Sequence, residues 1–174
     1  MGVFVMEFRE LCEKRYSVRS FLEKRVDREK LNLIVDNMRL TFSARNEQNW
    51  KFVVVDDKEL LAKIASCMGQ SFGKQAPAMI LVLVPKSDEL MVSGFNKATV
   101  NGSIATTILH YSAFDLGLGS VWIGRFDQEL VSQVLGLNDD WQVMSINLIG
   151  YPAREQNVVA KKEMSKVVFY NGIE

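Results

Sequence analysis

The sequence predicts one mixed α and β domain over residues 1–174, with helices packed on a central sheet. Three observations support this. Two continuous apolar runs, 52–55 and 79–84, have the length and β-branched content of buried strands. Between and after them, apolar residues recur at helical spacing. No repeat, low-complexity tract or interdomain linker divides the chain, and 174 residues suffice for one sizeable core. Periodicity leaves open whether the sheet is parallel or antiparallel.

Taken in order, Phe8, Leu11 and Cys12 predict a first helix over about residues 6–15. The segment 14–21 follows, with Arg15, Ser17 and Arg19 on alternate positions. In extended backbone such residues point the same way, so two guanidiniums and a hydroxyl can converge on one anion. The C-terminal end of a helix is unfavourable for phosphate, so the arginines must supply the attraction. The competing reading is a solvated basic turn. Asp27 is an N-cap candidate, with Glu29 in the first turn. Leu31, Ile34, Val35 and Met38 then form an i, i+3, i+4, i+7 stripe fit for a core or dimer contact.

A loop over 43–50 leads to the strand 52–55, expected to be buried on both faces. Leu60, Leu61, Ile64 and Met68 indicate a further helix, and 69–73 a loop. Ala76-Pro77 introduces the strand 79–84, closed by Pro85. Residues 86–97 read as polar and irregular. A long helix over about 102–116 carries Ile104, Ile108 and Tyr111, and ends where Gly117 and Gly119 suit a left-handed cap. His110, within it, reads as a packing or surface residue. Val121 to Ile123 form a short strand. Asp127 caps a helix with Leu130, Val131, Val134 and Leu135 on one face, and 143–149 is the last core strand. The tail, 151–174, carries Val167-Val168-Phe169-Tyr170, which implies packing against something such as a partner subunit.

Composition narrows the function. Lys+Arg and Asp+Glu balance at 21 each, which argues against a nucleic-acid or acidic-membrane partner. Two cysteines without ligand spacing and a single histidine argue against zinc. No stretch reaches the roughly 18 apolar residues of a membrane span, and the apolar start is too short for a signal peptide. The expected location is the cytoplasm. No Ser/His/Asp set or P-loop is present, and no acid–base pair or nucleophile is recognisable.

Four segments together resemble the FMN-dependent nitroreductase family. They are Arg15-x-Ser17-x-Arg19; Ser43, Asn46, Gln48, Trp50 and Phe52 at their family spacing; Asp115-Leu116-Gly117-Leu118-Gly119-Ser120-Val121-Trp122-Ile123-Gly124; and Ile149-Gly150-Tyr151-Pro152. They occur in family order between about Phe8 and Phe169. The resemblance implies an α+β fold, an α/β/α sandwich with a mostly antiparallel sheet, as an intertwined homodimer with FMN at the interface. It implies that Arg15 and Ser17 hold the phosphate and ribityl chain, with Tyr16 adding backbone contacts. Arg19 would approach the N1–C2 edge of the isoalloxazine. Ser43, Ala44 and Asn46 would arrive from the second subunit, and Gln70 would meet the pyrimidine. Ile123 and Gly124 would lie near N5, with strand-end packing as their competing reading. Asn46 alone would read as an ordinary turn residue.

The sequence also departs from the family. Phe42 and Asn49 stand where prolines are usual. Gly69-Gln70 replaces an Asn-Gln pair, Thr107-Ile108 replaces a frequent Gln-Asn pair, and Lys161 or Lys162 replaces an arginine toward the phosphate. Residues 86–97 correspond to a lid that is larger in many members. The implied activity is hydride transfer from NADH or NADPH through flavin N5 to a nitroaromatic, quinone or similar small-molecule acceptor, by a ping-pong scheme. A flavin reductase or dehalogenase, or a flavin-binding sensor or storage protein without turnover, is the alternative on the same scaffold.

Overall fold

The computed structural model describes residues 7–155 and 158–173. Its sheet has four strands: β1 (Lys51–Val55), β2 (Ala78–Pro85), β3 (Gly119–Ile123) and β4 (Trp141–Gly150). Their spatial order is β1-β2-β4-β3, and every neighbouring pair is antiparallel. The α+β class and antiparallel sheet are those the family resemblance implies. β2 and β4 occupy the centre, which explains the unbroken apolar run of β2. Its Met79, Leu81 and Leu83 enter one core, while Ile80, Val82 and Val84 enter the other. A bulge leaves Met144 as the extra β4 residue, since Val82 faces Ser145 and Leu83 faces Val143.

Five helices cover the sheet: α1 (Phe8–Lys14), α2 (Arg28–Arg39), α3 (Lys58–Ser66), α4 (Lys97–Asp115) and α5 (Gln128–Leu135). α3 and α5 share one core with Val121, Ile146 and Leu148. α2 and α4 share the other, where Leu31, Ile34 and Met38 meet Ala98, Leu109 and Ala113. α4 lies so close to the sheet that a Cβ at Gly102 would come within 2.7 Å of both Met144 and Val84. Asp127 caps α5, accepting from the N–H groups of Glu129 and Leu130. Asp27 precedes α2 but makes no side-chain capping bond.

Several expectations change. β1 is an edge strand rather than one buried on both faces, because it pairs only with β2, and Val54 is exposed. Only its contacts could have distinguished it from a central strand. α4 begins at Lys97, five residues early, because Asn96 caps it by accepting from Thr99 N–H. Much of its surface is buried through small residues, so no apolar stripe marks its start. Gly117 takes the left-handed cap (φ 72°), whereas Gly119 belongs to β3. Met68 leaves α3 and bridges Phe126. The expected start of the first helix at Met6 lies outside the described residues. Of the tail, the described part is largely exposed, including Val159, Met164, Tyr170 and Ile173.

Candidate functional site

The chain leaves α1 at Arg15 in extended conformation and runs beside the free edge of β3. Ser17 forms a parallel bridge with Ser120, and Val18 N–H donates to the Ser120 carbonyl at 3.0 Å. The alternation expected of an extended segment is present. Tyr16 packs against the core with its ring edge-on to Phe114, and Val18 is buried. Arg15, Ser17 and Arg19 occupy the alternate positions, half-buried, half-buried and exposed. The Arg15 guanidinium lies 5.7 Å from the Tyr111 ring centroid. Among the described residues, neither Arg15 nor Arg19 has a carboxylate within 4 Å.

The other end of β3 carries Ile123 and Gly124. The Ile123 side chain is buried in the core, and the residue as a whole is only 3% exposed. Gly124 is exposed, and a Cβ there would find only Trp122 Nε1 at 3.7 Å. The Met68–Phe126 bridge brings in the next segment, where Gln70 Oε1 is buried with no hydrogen-bond partner. A buried acceptor without a donor is uncommon. It fits a ligand N–H, as the pyrimidine edge of a flavin would provide.

His110 is buried beneath this edge, as a packing residue. Its Nδ1 is 2.8 Å from Ser120 Oγ and its ring stacks on Trp122. Burial, and then the charge of Arg15, push its pKa down to about 4, so the imidazole is neutral at pH 7.

Ser43, Ala44 and Asn46 lie elsewhere, at the start of α4. Ser43 Oγ accepts from Gln48 N–H at 2.9 Å, and Ala44 N–H donates to Asn101 Oδ1 at 2.9 Å. Arg45, Asn46 and Gln48 all have positive φ. The Lys97 ammonium, almost buried, sits 2.6 Å from Glu47 and 2.6 Å from Glu89, and these carboxylates raise its pKa. Asn101 and Tyr111 are ten residues apart on one helix. At about 1.5 Å per residue, the 43–49 loop and Arg15 are thus separated by roughly 15 Å along α4. Lys161 and Lys162 are exposed on the tail, without an ion pair among the described residues. One chain therefore sets Arg15, Tyr16, Ser17 and Arg19 beside β3, with Ile123 and Gly124 at its end and Gln70 on the segment bridged to Phe126. It leaves Ser43, Ala44 and Asn46 apart at the start of α4, while Lys161 is exposed on the tail.

Lys97, Asn101 and Arg125 were not singled out by sequence. Only Asn96, a capping residue three before Thr99, could have pointed to Lys97. A separate hollow of about 1200 Å³ opens between residues 23–28, α3 and residues 73–77. It contains none of the candidate residues, and its Asp56 is already paired with Arg28 (2.9 Å) and Arg25 (3.2 Å). No cluster of three His, Cys, Asp or Glu fit for a metal occurs among the described residues, and no described helix is long and apolar enough to cross a membrane.

Comparison with known proteins identifies the family. The family described as "Nitroreductase family" matches residues 12–72 and 64–151. An Archaeoglobus fulgidus protein provisionally named NADH dehydrogenase/NAD(P)H nitroreductase is 30% identical over 148 residues, covering 82% of this chain and 84% of that protein. A nitroreductase family protein from Clostridium difficile 630 superposes with a TM-score of 0.87 at 27% identity, over 97% of this chain and 100% of that one. An FMN-dependent nitroreductase from C. difficile R20291 gives a TM-score of 0.83 at 28% identity, over 94% and 98% respectively. The chain belongs to the nitroreductase family.

Proposed function

We propose that this protein is an FMN-dependent oxidoreductase that uses NADH or NADPH to reduce a nitroaromatic, quinone or similar acceptor. One observation carries the reading. Arg15 and Arg19, without counter-charges among the described residues, flank Ser17 on a segment pinned to the free edge of β3. Arg15 and Ser17 would hold the phosphate and ribityl chain, with the backbone of Tyr16. Gln70 Oε1 would accept from the pyrimidine edge. Arg19 would put a positive charge beside that edge, favouring the negative charge gained on reduction. FMN held by these residues would supply the hydride-transfer chemistry. Gly124, exposed and without a side chain, would leave room for donor and acceptor in turn, as a ping-pong scheme requires.

The distance between the two motifs supports a homodimer. The 43–49 loop cannot reach Arg15 of its own chain without crossing roughly 15 Å of α4, so Ser43, Ala44 and Asn46 serve the second subunit's site. The exposed apolar tail is suited to cover that subunit, bringing Lys161 or Lys162 toward the phosphate.

The test begins with the visible spectrum of the purified protein and identification of the released chromophore. About one FMN per chain is expected, bleached by NADH or NADPH without oxygen. Arg15→Ala and Asn46→Ala should each lower FMN retention, the second from across the interface. A colourless protein that takes up no added FMN refutes the proposal. Bound flavin inert to both donors supports a binder without turnover.

A further inference from the structure

Beyond β3 the chain is held at two points by the segment after α3. Met68 and Phe126 form an antiparallel bridge, and Asp127 N–H donates to the Cys67 carbonyl at 2.8 Å. Just beyond the bridge the Arg125 side chain lies along Gly69. A Cβ at position 69 would come within 3.3 Å of Arg125 Nε and 3.7 Å of Cζ, so a side chain there would press on the guanidinium. Although confined, Arg125 has no carboxylate within 4 Å among the described residues. The nearest acid in sequence, Asp127, spends Oδ1 on the N–H groups of Glu129 and Leu130. Next to Gly69 in sequence stands Gln70, with its unpartnered buried oxygen.

A cation laid along Gly69, exposed, and lacking a counter-charge among the described residues is suited to an anionic ligand. We propose that Arg125 sets substrate specificity at this site by taking an oxyanion carried by the reacting molecule. The inference rests on reading the end of β3 as the place where donor and acceptor meet the flavin. The guanidinium fork matches a planar carboxylate or two oxygens of a phosphate, whereas lysine would retain the charge and lose the fork. The oxyanion has two sources: a carboxylate on an aromatic acceptor, or the 2′-phosphate of NADPH.

Matched substrates separate the sources. 4-Nitrobenzoate and 4-nitrobenzamide share size and planarity and differ in charge, while NADPH and NADH differ in the phosphate. In Arg125→Ala, kcat/KM should fall about tenfold for the anionic member of one pair and remain near wild type for its neutral partner, the scale of an exposed charge-assisted contact. A change confined to the nitrobenzoate pair assigns the oxyanion to the acceptor. A change confined to the NADPH pair assigns it to the donor. Arg125→Lys should fall between wild type and Arg125→Ala. Binding without turnover provides a second readout: benzoate and NADP⁺, titrated into the flavin-loaded protein and followed by flavin absorbance, report the two sources directly. Unchanged ratios for both pairs in Arg125→Ala, with FMN content and both dissociation constants also unchanged, overturn the inference and leave the FMN reading intact. A wild-type chain that binds no flavin overturns both.

Discussion

Gly119→Ala tests whether the Arg15–Arg19 segment owes its place to close approach on β3. A Cβ at position 119 would lie 2.8 Å from Val18 Cβ, 3.0 Å from Cγ1 and nearer still to Cγ2. Because Val18 Cβ is bonded directly to the backbone, rotating the side chain cannot relieve the contact. The segment must withdraw, weakening the 3.0 Å bond from Val18 N–H to the Ser120 carbonyl. Overpacking costs about 1–3 kcal/mol and a lost hydrogen bond about 1 kcal/mol. A destabilisation of about 3 kcal/mol is expected. For a chain of this size that lowers Tm by roughly 6–12 °C. FMN affinity should fall too, because Arg15 and Ser17 ride on the displaced segment. Val18→Ala alone removes buried methyl carbons and should cost about 2 kcal/mol. In the double variant the γ-methyls are gone while the Cβ–Cβ approach remains, so relief is partial. The two costs should sum to about 1 kcal/mol more than the double variant loses. Thermal melts and FMN titrations of the four proteins make the measurement. Gly119→Ala within about 0.5 kcal/mol of wild type, or strict additivity, would refute the reasoning.

The remaining predictions concern α4, its neighbours and α5. The His110 imidazolium is disfavoured in the fold, so the unfolded chain binds the extra proton first and stability falls as pH drops from about 6.5 toward 4. That loss approaches about 3 kcal/mol at about 1.4 kcal/mol per pKa unit, and pH-dependent denaturant melts of His110→Asn should show a flatter slope in this window. Lys97→Met should loosen the 43–49 loop and lower FMN affinity, with Lys97→Arg partly restoring it in a fluorescence titration; equal affinity in both variants and wild type would sink the idea. Asp127→Ala removes the cap of α5 and should cost about 1–2 kcal/mol in a urea melt.

What could be read from the sequence depended on whether a residue's role was local. Arg15, Ser17 and Arg19 were legible because alternation is a property of extended backbone, and Val18 and Tyr16 turned inward as the pattern requires. β2 was legible because a strand with neighbours on both sides is apolar at nearly every position. β1 carries a similar run, yet lies at an edge, a difference determined by contacts rather than composition. The start of α4 was hidden because Ala98, Gly102 and Ala105 are buried by being small, which leaves no stripe. Lys97 could be read only through the cap at Asn96, and Arg125 not at all. One acquires its role from Glu47 and Glu89, the other from the empty space at Gly69.

The strained loop supports the dimeric reading most directly. Non-glycine residues with positive φ are uncommon, and Arg45, Asn46 and Gln48 bring three within four positions. Such strain persists only where the surroundings hold it. Here Ser43 Oγ, the fully buried Asn101 and the nearly buried Lys97 all anchor the loop, Asn101 by bonding both Ala44 N–H and Asn49 Oδ1. A linker between α2 and β1 needs none of this. The anchoring leaves Asn46 exposed on a rigid turn at one end of α4, while Arg15 waits at the other end of the same helix. On the proposed reading these are two halves of a cofactor site that one chain does not join. A two-fold axis that brought the loop of one chain to the arginines of its partner would complete both sites at once.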